Sequence, residues 1–137
     1  MILTDELCDK LCTAAHEKSK QLGIDISFAI CDENGLLKLY RRFGVALVLS
    51  ITLVPGKAYT SAVTQCKTKD VAKYSVEGGS LFAIQSNDPK ITLVAGGYPL
   101  FMNNKIAGGI GVGGGTEEQD CEIAEYIVSV FEQLTNN

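Results

Sequence analysis

The stretch IAGGIGVGGGTEEQD, residues 106–120, holds six glycines between Gly108 and Gly115. Glycine weakens a strand and fills no core, so a run of this kind signals main chain that something approaches closely. If residues 106–113 are extended, side chains alternate between faces. Ala107, Gly109, Gly111 and Gly113 then fall on one side, and Ile106, Ile110 and Val112 on the other. The first side carries nothing bulkier than a methyl group. Three occupants fit it: a tightly packed terminal helix, a planar ligand, or a neighbouring subunit.

The residues after the glycines set the next element. Thr116-Glu117-Glu118-Gln119 fits a capping box, in which the threonine oxygen and the glutamine side chain satisfy each other's backbone amides. A last helix begins there, with Ala124, Ile127, Val128, Phe131 and Leu134 as its apolar stripe. Upstream, Asn103-Asn104 reads as a turn between YPLF and KIAGGIGV, which makes the glycine strand half of a hairpin. At the other end of the chain, Thr4 caps a helix with a stripe at Leu7, Cys8, Leu11, Cys12 and Ala15, closed by Gly23. IDISFAIC (24–31) and LLKLY (36–40), joined through Asn34-Gly35, read as a first hairpin. The middle stays open: VALVLSITLV (45–54) suits a buried strand by its β-branched content, whereas KAYTSAVTQC after Pro55-Gly56 suits a helix. The order of elements gives an α+β fold, an antiparallel sheet carrying helices, rather than a doubly wound parallel sheet.

Composition bounds what such a fold does. At 137 residues and 46% hydrophobic content, residues 1–137 form one domain. Twelve Lys and Arg against 16 Asp and Glu give a net charge of −4, which argues against nucleic acid as a partner. No signal peptide or membrane span is visible, so a cytoplasmic location is the default. Five cysteines without a C-x-x-C pair indicate neither a disulfide framework nor a zinc knuckle, and they read mostly as small buried hydrophobes.

Few residues carry recognisable chemistry. Gly109-x-Gly111-x-x-Gly114 satisfies a dinucleotide pattern, but too little chain follows for a βαβ unit, and Glu117, Glu118 and Asp120 would repel phosphate. His16, the sole histidine, lies on the flank of the first helix; it is either a boundary residue or an axial ligand for haem iron. No nucleophile elbow surrounds any serine. Glu122-x-x-Glu125 reads as a solvated helix face or as a weak cation site. Lys57, Tyr59 and Tyr98 stand among apolar residues and are available to line a pocket.

GKAYTSA (56–62), EGGSLFAIQSN (77–87), AGGYPLF (95–101) and IAGGIGVGGGTEEQDCEIAE (106–125) together resemble the GlcG/HbpS/PduO C-terminal-domain family of small bacterial proteins, described as haem-binding or haem-degrading-related. The resemblance covers nearly the whole chain. It implies a profilin-like sandwich, assembly into homo-oligomers, and a helix starting near Ser50, in which Pro55 would remove a backbone donor. The family commonly has SGGT before the last helix and a histidine after EQD; Gly113 and Cys121 stand there in this chain. With the residue reading, the resemblance implies a protein of little or no enzymatic activity that binds haem or a related planar tetrapyrrole. His16 would be the iron ligand, with Cys121 as a thiolate alternative. Gly109, Gly111 and Gly113 would form the flat floor of the site, and Lys57, Phe82, Tyr98 and Phe101 its edges. An accessory role in diol, glycerol or cobalamin metabolism is the associated expectation. A cofactor-free assembly module of a diol- or glycerol-utilisation system is the alternative. A third reading, an enzyme on a small organic acid, would use Lys57 and the amides after Gly115 as anion holders.

Overall fold

In the computed structural model, which describes residues 3–135, the glycine run is a strand in the middle of a sheet. Nine elements follow in order: α1 (Asp5–Leu22), β1 (Ser27–Asp32), β2 (Leu37–Arg42), α2 (Ser50–Thr64), α3 (Thr68–Tyr74), α4 (Ile84–Asn87), β3 (Gly97–Met102), β4 (Lys105–Gly113) and α5 (Glu117–Thr135). The four strands lie in the order β2-β1-β4-β3, and every neighbouring pair is antiparallel. Local chemistry sets the ends. Thr4 Oγ1 accepts from Leu7 N at 3.1 Å to start α1, and Gly23 closes it with φ 71°. Asn103 and Asn104 both take left-handed backbone, φ 53° and 64°, as a tight β3–β4 turn requires. The capping box at α5 forms as the sequence indicates: Thr116 N donates to Gln119 Oε1 at 2.9 Å and Gln119 N to Thr116 Oγ1 at 3.2 Å.

Helices cover both faces of the sheet. On one face α1 and α5 bury Leu11, Ala15, Ile123, Ile127 and Phe131 against Phe28, Ile30, Leu100, Ile110 and Val112. On the other, α2 packs Val54, Ala58 and Ala62 onto Ala29 and Cys31. The open middle of the sequence resolves in favour of the helix, because 45–49 turns into α2 instead of pairing in the sheet. Pro55 lies inside α2 without ending it.

The question raised by the bare side of β4 has a definite answer: α2 occupies it, not the terminal helix. A Cβ on Gly109 would overlap Ala58 O and stand 2.7 Å from Ala62 N. One on Gly111 would overlap Val54 O and stand 2.9 Å from Ala58 N. Apart from Ser61 Oγ beside Gly109, the nearest obstacles are main-chain atoms, which have no rotamer through which to yield. The register extends the smooth surface sideways, since Gly111 is paired with Ala29 on β1 and with Gly97 on β3. Ala107 departs from simple alternation. The β3–β4 register shifts between Leu100 and Phe101, and Ala107 joins the core under α1 and α5. The cysteines are more varied than the sequence reading holds: Cys8 and Cys31 are buried, Cys12 and Cys121 half-buried, and Cys66 exposed.

Gly111→Ala is expected to cost about 3 kcal/mol or more, because overpacking against fixed backbone cannot relax by a rotamer change. Gly78→Ala, in open space but with φ 84°, should cost only about 1 kcal/mol. Urea midpoints of the two variants, compared with the parent, measure the difference.

Candidate functional site

The residues singled out by sequence separate into three places. Gly109, Gly111 and Gly113 are buried under α2 and cannot act as an open floor for a macrocycle. Tyr98 and Phe101 are on β3, at one edge of the sheet. Tyr98 is buried, its hydroxyl donates to Glu125 Oε2 at 2.5 Å, and burial together with that bond raises its pKa. Phe101 is 40% exposed and lines a groove with Pro99, Val128 and Phe131. His16 projects from α1 and stacks on Phe43, just past β2, with ring centroids 4.2 Å apart and planes 9° from parallel. Three strand spacings, roughly 14 Å, separate the β2 edge from the β3 edge. The structure therefore does not bring His16 together with Tyr98, Phe101 or the glycines. Phe82, proposed as part of a rim, is exposed on the loop before α4. Glu122 pairs with Lys18 at 3.5 Å and Glu125 holds Tyr98, and no group of three or more His, Cys, Asp or Glu residues suited to a metal ion occurs among the described residues.

Lys57 does meet one of the glycines, in company that the sequence reading missed. It projects from α2 past Gly113 with only 2% of its side chain exposed. Its Nζ donates to Val112 O at 2.8 Å and stands 3.6 Å from Asp120 Oδ2, a carboxylate itself 7% exposed. Asp120 Oδ1 accepts from Gly115 N at 2.9 Å. Asp120 thus caps the glycine loop with one oxygen and faces the lysine with the other. Burial lowers the Lys57 pKa and raises that of Asp120, in each case against the pull of the partner. A 160 Å³ cleft opens onto the pair, walled by Gly113, Gly114 and Gly115 and rimmed by Leu47, Leu49, Leu53 and Val94. The sequence held a signal for this pair. Asp120 leads the stripe that continues at Ile123, Ile127 and Phe131, and Lys57 lies between Val54 and Ala58 on the buried face of α2. A charged residue on a buried stripe needs a partner.

A second constellation surrounds His16. Cys12 lies one turn before it on α1, half-buried. The Arg41 guanidinium stands 4.9 Å from the Phe43 ring centre and acts on the Cys12 thiol, whose pKa burial raises. Neither imidazole nitrogen has a hydrogen-bond partner among the described residues. The half-buried thiol and the exposed guanidinium thus lie with the imidazole around the buried ring of Phe43, and imidazole and thiolate are among the side chains that ligate haem iron.

Lys57→Met is expected to destabilise the protein by about 3 kcal/mol, since it strands a buried carboxylate. The loss should depend on pH. A carboxyl whose folded-state pKa is raised favours folding while protonated, and that advantage disappears as pH rises through the folded pKa. With the opposing cation gone, the gap between variant and parent should widen from pH 4 to pH 7. Urea denaturation at both pH values reads it, and an equal loss at each would exclude Asp120 as the cause.

Comparison with known proteins fits this architecture. Residues 3–129 match the family model described as haem degrading protein HbpS-like. The chain is 32% identical over 126 residues to an uncharacterised 15.0 kDa protein from the dhaT-dhaS intergenic region of Citrobacter freundii, covering 91% of this chain and 89% of that one. It is 31% identical over 123 residues to the corrinoid adenosyltransferase PduO of Salmonella typhimurium, covering 89% of this chain but only 37% of that protein. A solved structure described as a PduOC–haem complex superposes with a TM-score of 0.88 at 30% identity, covering 93% of each chain. With a family match over nearly its whole length and relatives above 30% identity, the chain belongs to the HbpS-like family.

Proposed function

We propose that the protein binds haem or a related planar tetrapyrrole on the α1–β2 surface, with His16 as the axial ligand. The observation that carries this reading is the His16 imidazole, held flat on Phe43 and without a hydrogen-bond partner among the described residues. Arg41 beside Phe43 offers a cation to a propionate, and the half-buried Cys12 offers a second donor one turn away. The likeness to a structure described as a haem complex supports the cofactor class. When bound, haem supplies a redox-active, Lewis-acidic iron. The chain's part is to present an imidazole in a fixed orientation and to shield one side with an aromatic ring. An accessory role in cobalamin or diol metabolism draws its support from the likeness to part of PduO.

Titration of the protein with haemin, followed at the Soret band, should saturate near one equivalent per chain. His16→Ala should weaken binding at least about tenfold, which is about 1.4 kcal/mol, whereas Cys12→Ala and Cys121→Ala should retain it. Unaltered saturation in His16→Ala would exclude His16 as the ligand, and loss in Cys121→Ala alone would move the iron to the thiolate.

A second reading, self-association, is favoured by one feature of the surface. No charged residue occurs from Phe43 through Gly56, and within that segment Val45, Leu47, Val48, Leu49 and Ile51 are between 49% and 81% exposed. Contiguous exposed apolar residues mark interaction sites, and an uncharged patch meets its own copy without repulsion. Val45→Asp with Val48→Asp should convert an oligomer to monomer in sedimentation equilibrium. A parent that sediments as a monomer at every concentration overturns this reading.

A further inference from the structure

We infer that Lys57 is an imine-forming lysine, and that the cleft over the Lys57–Asp120 pair takes a small uncharged aldehyde or ketone. The inference is independent of haem, because the cleft is on the α2 side of the sheet and His16 on the side of α1.

Geometry gives the argument. A lysine that served only to tie α2 to β4 would need no opening, yet the 160 Å³ cleft is walled by Lys57 and Asp120 themselves. Gly96 and Gly113 flank Nζ: a Cβ at these positions would stand 3.0 and 3.4 Å from it. On those two sides the amine is bordered by glycine, with no side chain to crowd it. The volume suits a molecule of a few heavy atoms, and Leu47, Leu49, Leu53 and Val94 give the mouth an apolar lining. Charge selects against an acid. The groups acting on Lys57 are Asp120, Cys121 and Glu117, all on or leading into α5, and none of them is a cation. A carboxylate ligand would face Asp120 and Glu117 with a single lysine already paired.

The buried pair also handles the protons of the reaction. Transfer of one proton from the Lys57 ammonium to Asp120 Oδ2 leaves two neutral groups, the state that burial favours on both sides. The amine lone pair then attacks the carbonyl carbon, forming the C–N bond as the C=O π bond opens, and one of the two amine protons passes to the carbonyl oxygen to give the carbinolamine. Asp120 returns its proton to that hydroxyl, which departs as water, and the nitrogen loses its remaining proton to Asp120 as the C=N bond forms. The sum is amine plus carbonyl to imine plus water, with no oxidant or reductant.

Butanal with sodium cyanoborohydride tests this at neutral pH on the native protein. Hydride reduces the imine to a stable secondary amine, and peptide mapping locates the added butyl group. Lys57 should be alkylated several-fold faster than the exposed Lys10 and Lys20, because burial holds its amine below the usual lysine range and so leaves more of it unprotonated. Glyoxylate, an anionic aldehyde, should label it more slowly than butanal relative to the same two lysines. If Lys57 stays unlabelled in the folded protein and reacts only in urea, it is a closed structural ion pair and the inference fails. Faster labelling by glyoxylate would overturn the assigned ligand class.

Discussion

The fold depends on one contact, that of the α2 backbone against the backbone of β4. A helix ordinarily stands about 10 Å off a sheet because side chains from both layers fill the gap. Here one layer is missing. Gly109 and Gly111 meet Ala58 O and Val54 O with no side chain between, and Ala29 and Gly97 keep the neighbouring strands equally flat. Ala58 and Ala62 answer from the helix with methyl groups. Backbone-to-backbone packing of this kind gains dense dispersion contact at the entropic cost of ordering glycine. It tolerates no added atom, which fixes the position of α2 far more strictly than a leucine-filled interface would.

That strictness determines where the charged side chains go. With α2 drawn down onto β4, the lysine stem runs along Gly113 instead of out to solvent, and its ammonium arrives at the end of the strand. The chain turns there from β4 into α5, and the first turn of α5 places Asp120 to meet it. Exposed ion pairs contribute little, but this pair is nearly dry, so each partner favours the charged form of the other while burial opposes it. A packing constraint set by glycine has produced an electrostatic site.

Elements defined by local chemistry were legible in the sequence. The Thr4 cap, Gly23, the paired asparagines at 103–104 and the Thr116 capping box each specify an end within a few residues, and the structure forms all of them. The glycine run was rightly read as a place of close approach, but which element approaches is a long-range fact. Gly111 and Val54 are far apart in the chain, and nothing in 45–54 marks it for that strand; its β-branched residues even favour a strand reading. Only the family resemblance placed a helix near Ser50. The same limit applies to the sites. His16 was identifiable as a lone boundary histidine, whereas its wall, Phe43, comes from beyond β2 and left no local trace. Lys57 stands out in the sequence as a charge among apolar residues, whereas Asp120 reads there only as a group that repels phosphate, and only the packed fold joins the two.

The sheet keeps these two constellations apart, and this bears on how the molecule works. His16, Cys12 and Arg41 belong to the α1–β2 corner; Lys57, Asp120 and their cleft belong to the junction of α2, β4 and α5. Burial on both faces makes the intervening strands a rigid layer, with Phe28, Ile110 and Val112 wholly enclosed. A ligand at one corner has no direct contact with the other. The connection that remains is α5, which packs along α1 and carries Asp120 at its own start, so a displacement of α1 large enough to move α5 would pull the carboxylate away from Lys57. Such coupling would require the helix pair to shift as a body, since a close-packed core passes on whole-element movements and absorbs little by local deformation.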